Sequence, residues 1–194
     1  MGLAKRIIPV VLHKNGQLVK GQNFVNDRVV GHALQSARVH AARGVDELMM
    51  LDITATKEGR EPNYALTKAL AEHNFSPLTV GGGINNYKQV KQLLRSGADK
   101  ICLGKAAINN YGLIYELATR FGSQCITVSI DYTADEFTHE YAVFLAKQYE
   151  NEGAGEILLQ SVDNDGTMKG YDLELIMEVT RQTCVPVVAS GRLV

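Results

Sequence analysis

The stretch GVDELMMLD at residues 44–52 recurs as GAGEILLQS at residues 153–161, and this repeat decides the fold. A second stretch, FSPLTVGG at residues 75–82, recurs as CVPVVASG at residues 184–191, displaced by the same 109 positions. Two matches at one displacement indicate a duplicated unit of alternating strands and helices. A duplicated half-barrel fits this pattern better than a doubly wound sheet, so we predict an α/β fold of the (βα)8 TIM-barrel type.

Short apolar runs alternate with longer segments of helical period along the chain, which is typical of a parallel sheet covered by helices. Seven strands are predicted, at residues 6–12, 47–51, 77–80, 100–104, 125–131, 156–160 and 185–190. Six helices are predicted, at residues 31–43, 62–74, 86–96, 109–121, 139–152 and 171–182.

The second copy of the repeat ends early. Gly83 is followed by a helix and a further strand, whereas only three residues follow Gly191. The sequence therefore predicts a single barrel domain over residues 1–194 that is truncated after strand 7. Its first half-barrel would be residues 1–122, and its incomplete second half-barrel would be residues 123–194.

The composition predicts a cytoplasmic protein. With 45% hydrophobic residues and a formal net charge of -1, the 194-residue chain can bury a sizeable core and has no basic patch for nucleic acid or a membrane surface. Cys102, Cys125 and Cys184 lie in apolar, strand-like runs. We expect them to be reduced core residues, and we predict neither a metal nor a cofactor.

Several motifs in chain order carry a family resemblance. They are LAKRII (3–8), GVDELMMLDITA (44–55), TVGGGI (79–84), RSGADK (95–100), SIDY (129–132), GAGEILLQSVDNDGT (153–167) and VVASG (187–191). Together they resemble the HisF family, the cyclase subunit of imidazole glycerol phosphate synthase in histidine biosynthesis. Two further motifs, KEGREPNY (57–64) and TMKGYDLELI (167–176), resemble its WbuZ-type paralogues, which are associated with amidination of surface sugars.

The resemblance implies catalytic residues at strand ends. In the family, two aspartates act as general acid and base while ammonia adds and the imidazole ring closes. Asp131 matches one of them, but Leu12 stands where the other belongs, and His13 should point to the opposite face of its strand. Asp52, which we expect to point inward, and the loop residue Lys20 match family residues that contact the substrate.

The resemblance also implies phosphate-binding turns, because the family substrate carries a phosphate at each end. Glycines after a strand let backbone N–H groups approach an anion near a helix N-terminus. A tight strand-to-helix turn explains the same glycines without a ligand. The candidate phosphate-binding residues are Gly81, Gly82, Gly83, Gly104, Lys105, Asp165, Gly166, Thr167, Ser190 and Gly191.

At the opposite strand ends, Arg6, Glu47, Lys100 and Glu156 match a charged ring of the family. In the family, ammonia from a glutaminase subunit of the HisH kind enters through this ring, which we call the ammonia gate. Ordinary strand-start charges that face solvent are the alternative. The resemblance thus implies a glutaminase partner and a phosphorylated small-molecule substrate.

Two functional hypotheses stay open from the sequence. Asp131, the glycine turns and the ammonia gate favour a lyase or cyclase subunit of a glutamine amidotransferase complex. Leu12 and the absent eighth strand favour a non-catalytic paralogue or fragment that binds a glutaminase or a phosphate ligand without turnover. A tryptophan-pathway barrel is a more distant alternative.

Overall fold

The computed structural model describes residues 5–22, 24–110, 112–133 and 138–191. The chain separates into two compact units, each with its own core. Unit 1 consists of Met1–Val19 and Val29–Cys102, and unit 2 consists of Lys20–Arg28 and Leu103–Val194. Both units combine parallel strands with helices, which confirms the predicted α/β class.

Unit 1 is built on a parallel ladder. Its strands are β1 (Val10–Lys14), β2 (Gln17–Gln22), β3 (Val25–His32), β4 (Leu48–Asp52), β5 (Leu78–Gly81) and β6 (Lys100–Leu103). Three of them, β2, β3 and β6, have residues in both units. The parallel pairs are β1 with β4, β4 with β5, and β5 with β6, while β2 folds back antiparallel onto β1. Leu48, Met49 and Met50 are completely buried, as expected for a parallel strand covered on both faces.

Three helices belong to unit 1: α1 (Ala33–Ala42), α2 (Tyr64–Ala71) and α3 (Tyr87–Arg95). The residue before α2 and the residue before α3 are both asparagines. Asn63 accepts a hydrogen bond from the Leu66 amide, and Asn86 accepts one from the Gln89 amide. These caps satisfy amides that the first helical turn leaves without a partner, and they fix where each helix begins.

Unit 2 contains α4 (Lys105–Asn109), α5 (Leu113–Phe121), a 3-10 turn (Ser123–Cys125), β7 (Ile126–Tyr132), α6 (His139–Glu152), β8 (Glu156–Ser161), α7 (Leu173–Gln182) and β9 (Val187–Ser190). The strands β7, β8 and β9 pair in parallel in that order. Thr138 caps α6 and Asp172 caps α7. Within the described ranges, no helix is both long and apolar enough to cross a membrane.

The segment after the first strand differs from the prediction. We expected a loop between residues 12 and 31, but the structure has the strands β2 and β3 there. Gly16, with a φ of 82°, follows Asn15 in the tight turn between β1 and β2. An Asn-Gly pair between two β-rich runs is a strong hairpin signal, so the hairpin of β1 and β2 could have been predicted from the sequence.

The predicted helix at 109–121 is wrong at its start. The structure has two helices in this region, because α4 ends at Asn109 and α5 begins at Leu113. Gly112 adopts a left-handed φ of 84°, which a continuous helix cannot accommodate.

The cysteines are free, as predicted, but they are not all core residues. Cys102 is buried, Cys125 is half-buried and Cys184 is exposed. Cys184 precedes β9 rather than lying in it, because β9 begins only at Val187. An apolar sequence run was therefore a poor guide to burial at this position.

Candidate functional site

Asp131 lies near the carboxyl end of β7 in unit 2 and is the best-placed carboxylate for proton transfer. Its side chain is exposed to solvent, and the Ser129 hydroxyl donates a 2.7 Å hydrogen bond to Asp131 Oδ1. Solvent reaches the side chain, but the protein atoms packed around the carboxyl group reduce its hydration and so raise the pKa of Asp131, while the Ser129 hydrogen bond and the Lys105 charge oppose the rise. A carboxylate that solvent can reach and that has a raised pKa is suited to take up and release a proton.

Leu12 lies in β1 and cannot supply a second acid or base. Burial alternates along β1: Val11 and His13 are buried, and Leu12 between them is half-buried. This alternation confirms that His13 points to the face opposite Leu12. His13 therefore cannot replace the missing aspartate on the Leu12 face.

Asp52, at the end of β4, belongs to a buried network that we call the Asp52 cluster: His13, Asp52, Thr54 and Arg60. Asp52 Oδ1 accepts hydrogen bonds from the amides of Thr54 (3.0 Å) and Ala55 (2.9 Å). Arg60 Nη1 lies 3.3 Å from Asp52 Oδ2, and His13 Nδ1 lies 3.4 Å from the same oxygen. The Gly16 amide donates to His13 Nε2 at 2.6 Å, so in the neutral ring Nδ1 carries the proton and faces the carboxylate.

The environment of Asp52 keeps it ionised. Burial alone would raise its pKa, but hydrogen bonds from His13, Thr54, Ala55 and Arg60 together hold the pKa well below the usual range. In register, Asp52 pairs with His13, whereas Leu51 pairs with Leu12. We expected Asp52 to share the face of the missing aspartate, but this register places it on the opposite face. Asp52 fixes the turn that follows β4, and both of its carboxylate oxygens already accept hydrogen bonds from described residues.

The turn Gly81-Gly82-Gly83 is packed tightly in unit 1. A Cβ added at Gly82 would lie 2.2 Å from the Asp52 carbonyl oxygen, and one added at Gly83 would lie 2.7 Å from the Arg60 carbonyl oxygen. The Gly83 amide donates to Thr56 Oγ1 at 3.2 Å. Close packing against the segment after β4 therefore already explains why glycine is needed here.

The other predicted phosphate-binding residues lie in unit 2. Gly104 precedes α4, and exposed Lys105 is its first residue, close enough for its charge to act on Asp131. Ser190 is the last residue of β9, and Gly191 follows it.

The turn formed by Asp165, Gly166 and Thr167 comes after β8 and packs against the end of β2. A Cβ added at Gly166 would lie 2.7 Å from the Gly21 carbonyl oxygen. Lys20, the residue before Gly21, is exposed. The structure thus brings the strand that carries Lys20 together with this predicted phosphate-binding turn.

Three of the four ammonia-gate residues meet in unit 1. Glu47 is 2% exposed, and its Oε2 accepts from Arg6 Nη1 at 2.9 Å and from Lys100 Nζ at 2.8 Å. Thr79 Oγ1 donates to Glu47 Oε1 at 2.6 Å. The fourth residue, Glu156, is buried at the start of β8 in unit 2, paired with Thr127 in register. Ion pairing therefore accounts for the buried charge of Glu47.

A polar cavity in unit 2 was not foreseen. It has a volume of about 400 Å³ and is lined by residues at the ends of β7 and β8 and at the starts of α6 and α7. His139 Nε2 lies 2.8 Å from Asp172 Oδ2 across its wall. The sequence signal was present, because both residues lie at the beginning of a predicted helix that follows a predicted strand, but neither matched a family motif.

Comparison with known proteins points to the same family as the sequence motifs. Residues 6–192 match the family model described as "Histidine biosynthesis protein". The chain is 45% identical over 202 residues to imidazole glycerol phosphate synthase subunit HisF of Hydrogenobaculum sp. (strain Y04AAS1), which covers 97% of this chain and 80% of that protein. It is 46% identical over 202 residues to the HisF subunit of Bacillus cereus (strain ATCC 10987 / NRS 248) and 44% identical over 203 residues to that of Clostridium botulinum (strain Okra / Type B1), with the same coverage. The chain belongs to the HisF family of histidine biosynthesis proteins.

Proposed function

We propose that the chain is a HisF-type cyclase subunit that adds ammonia to a phosphorylated substrate. Asp131 is the observation that carries this proposal. It is the strand-end carboxylate that combines access to solvent with a raised pKa. The (βα)8 barrel type remains our proposal for the complete fold, and it is supported by the sequence repeat and the family membership. A cytoplasmic location stays a prediction.

Asp131 would handle the proton that ammonia must lose. When the ammonia nitrogen forms a bond to a carbonyl carbon, one N–H proton is transferred to the carbonyl oxygen to give a carbinolamine. A second N–H proton is then transferred to that hydroxyl, which departs as water and leaves a carbon–nitrogen double bond. In each transfer Asp131 in its ionised form would accept the N–H proton and, once protonated, would donate it to the oxygen. Leu12 cannot assist, so we expect turnover to be slow relative to a site with two carboxylates.

Each unit has its own candidate residues for binding a phosphate. In unit 2, exposed Lys105 acts on Asp131 by its charge and would meet a phosphate as a point charge. The turn at residues 165–167 and Ser190-Gly191 would supply backbone N–H groups in the same unit. In unit 1, the Gly83 amide is occupied by Thr56, so a phosphate bound there would use the neighbouring amides.

The ammonia supply would come from a glutaminase subunit of the HisH kind. The buried carboxylate of Glu47 gathers Arg6 and Lys100 at the strand starts of unit 1. We propose that this group serves in the ammonia gate, and Glu156, which is buried in unit 2, stays a predicted gate residue. Arg6 is 39% exposed in its side chain and could also contact the partner surface.

Leu12 favours one second candidate, the related amidination of a surface sugar. Ring closure in the family uses two carboxylates, and this chain keeps one. The WbuZ-like motifs lie at residues 57–64 and 167–176. The first motif contains Arg60, which donates a hydrogen bond to Asp52. The second contains Asp172, which caps the N-terminus of α7.

The test measures turnover of the purified chain with the phosphorylated histidine-pathway intermediate and an ammonium salt. We expect slow formation of imidazole glycerol phosphate, its loss in Asp131→Asn, and a gain in Leu12→Asp. A second arm adds glutamine and the HisH-type glutaminase, where Glu47→Gln should reduce glutamine-dependent turnover more than ammonia-dependent turnover. Equal rates for the native chain and Asp131→Asn would contradict the cyclase proposal, and product formation only with a sugar substrate would favour the second candidate.

A further inference from the structure

The turn between β1 and β2 contains the one Asn-Gly pair of the chain, Asn15 and Gly16. In such a pair the glycine nitrogen can attack the side-chain carbon of the asparagine and close a five-membered ring, because glycine has no side chain to hinder the attack. Both residues are exposed, and a Cβ built at Gly16 would have no atom within 4 Å. Among the described residues, none holds the Asn15 side chain by a hydrogen bond. The turn therefore leaves room for this ring to form.

His13 presents a base to the nitrogen that would attack. The Gly16 amide donates a hydrogen bond of 2.6 Å to His13 Nε2. A backbone N–H can only donate, so Nε2 carries the lone pair of the ring and is able to take up the amide proton. A nucleophile within hydrogen-bond distance of a base is the arrangement that activates side chains in covalent catalysis. The contact thus pairs a nucleophile with its base.

Asp52 lies on the other side of the imidazole ring. His13 Nδ1 is 3.4 Å from Asp52 Oδ2, and the lowered pKa of Asp52 means that this carboxylate is ionised. Its charge would stabilise the imidazolium that forms when Nε2 takes up a proton. His13 is 1% exposed, so little water competes for the ring. The Gly16 nitrogen, His13 and Asp52, all in unit 1, follow one another in the order nucleophile, base and carboxylate, as in a catalytic triad.

We propose that Asn15 is a site of deamidation and that His13 is the general base of this reaction. His13 Nε2 takes the proton of the Gly16 amide while the Gly16 nitrogen forms a bond to Asn15 Cγ. The side-chain oxygen holds the displaced electron pair and returns it as the Cγ–Nδ2 bond breaks. Nδ2 receives the proton from His13 and leaves as ammonia. Water then opens the succinimide ring and leaves an aspartate or an isoaspartate at position 15.

The modification would alter the hairpin of β1 and β2. An isoaspartate adds one carbon atom to the main chain, so the two-residue turn would no longer match the register in which Lys14 pairs with Gln17. Either product also adds a negative charge to the turn. This chemistry goes beyond the proposed cyclase function, because it uses no substrate and involves neither Asp131 nor the candidate phosphate-binding residues.

The test measures how fast the peptide that contains Asn15 acquires its aspartyl and isoaspartyl forms, by peptide mapping and mass spectrometry of the stored full chain. His13→Gln is the decisive variant, because the glutamine carbonyl can accept the Gly16 hydrogen bond but cannot take up the proton. We expect it to slow deamidation about a hundredfold, the lower end of the range for a positioned base. The matched control is His73→Gln at a half-buried position elsewhere in unit 1, which should leave the rate unchanged.

A double variant tests the positioning role of Asp52. Asp52→Asn should slow deamidation, because the imidazolium then lacks its carboxylate. Combined with His13→Gln, it should cause no further slowing, since Asp52 acts on this reaction only through His13. A merely structural role of Asp52 would instead change the rate whether or not His13 is present, and that result would remove Asp52 from the proposal.

Deamidation is read without turnover, so Asp131→Asn should retain the full rate whether or not the cyclase proposal holds. If His13→Gln does not fold, the native chain decides, because urea removes the fixed contact between His13 and Gly16. Asn15 should deamidate faster in the folded chain than in the urea-unfolded chain. A folded rate at or below the unfolded one, or a rate in His13→Gln at or above the native one, would show that the contact protects the turn and would overturn the proposal.

Discussion

Asp52 and Asp131 both stand near the carboxyl end of a parallel strand, yet their surroundings give them opposite properties. Asp52 is 5% exposed and receives hydrogen bonds from two amides, a hydroxyl and a guanidinium. Asp131 is exposed and receives one hydrogen bond from Ser129. The pKa of Asp52 is lowered, and the pKa of Asp131 is raised.

This difference shows that a strand-end position does not by itself make a carboxylate catalytic. Donors that stabilise the ionised form lock Asp52 into a structural role, because releasing a hydrogen bond to a charged group is costly. Asp131 has few donors, so its charge is less well stabilised and its proton can be exchanged. Asp52 therefore holds a turn, whereas the surroundings of Asp131 suit the proton transfer that we propose for it.

The sharpest test removes the charge of Asp131. We expect Asp131→Asn to lower kcat/KM with ammonia by about 10²–10⁴, the range for loss of a positioned general acid or base. The fold should be unaffected, because among the described residues the carboxylate interacts with Ser129 and with the Lys105 charge alone. Steady-state rates would measure the loss, with Glu174→Gln as a control carboxylate on an exposed helix position. Retained activity would show that Asp131 is not the proton carrier.

The matching change in unit 1 should act on stability. Asp52→Ala leaves the Thr54 and Ala55 amides without their acceptor and the buried His13 ring without its neighbouring carboxylate, so we expect the free energy of unfolding to fall by about 3 kcal/mol. This figure counts the Arg60 contact only in part, because the Arg60 side chain is 37% exposed and solvent screens its charge. Urea denaturation would measure the change, with Glu58→Gln as the control, since Glu58 is an exposed partner of Arg60. A loss no greater than that of the control would mean that the Asp52 cluster does not stabilise unit 1.

The sequence predicted the framework well and the polar details poorly. Apolar strand runs are strong local signals, so all seven predicted strands were found, although the first is shifted to Val10–Lys14. Pro9 helps to explain the shift, because proline has no N–H to give to a ladder. The strands β2 and β3 were missed because many of their residues are polar, and a prediction from periodicity depends on buried apolar residues.

In the candidate functional site, too, strand positions were predicted better than polar contacts. Family motifs identified Asp52 and Asp131 as equals, because a motif records residue identity and strand position only. The partners that separate them, Arg60 and Ser129, are eight and two residues away and act through side-chain geometry. The polar cavity depends on His139 and Asp172, which are 33 positions apart and meet only after α6 and α7 have packed.

The two aspartates should also respond oppositely to pH. The folded-state pKa of Asp52 lies below its ordinary value of 3.8, so its contribution to stability is present above that value and is lost as pH falls below it. The folded-state pKa of Asp131 is raised, so its contribution is present at low pH and is lost as pH rises through that pKa. We expect Asp52→Asn to flatten the acid side of the stability profile and Asp131→Asn to raise stability slightly at neutral pH. Denaturation midpoints across a pH series would check both signs, and a destabilising Asp131→Asn would contradict the comparison.

The smallest expected effect concerns Ser129, whose hydroxyl donates a hydrogen bond to Asp131. The Ser129 hydroxyl favours the ionised form of Asp131, so Ser129→Ala should raise the pKa of Asp131 further. The acid limb of the pH dependence of kcat/KM should therefore move to higher pH, while the rate on the plateau stays close to that of the native chain. Lys105→Gln should move the limb in the same direction, since the Lys105 charge also favours the carboxylate, and it should in addition raise KM if Lys105 binds a phosphate. A limb that moves downward in Ser129→Ala, or that moves equally in Glu174→Gln, would show that Asp131 does not set the acid limb and that its contrast with Asp52 has no bearing on catalysis.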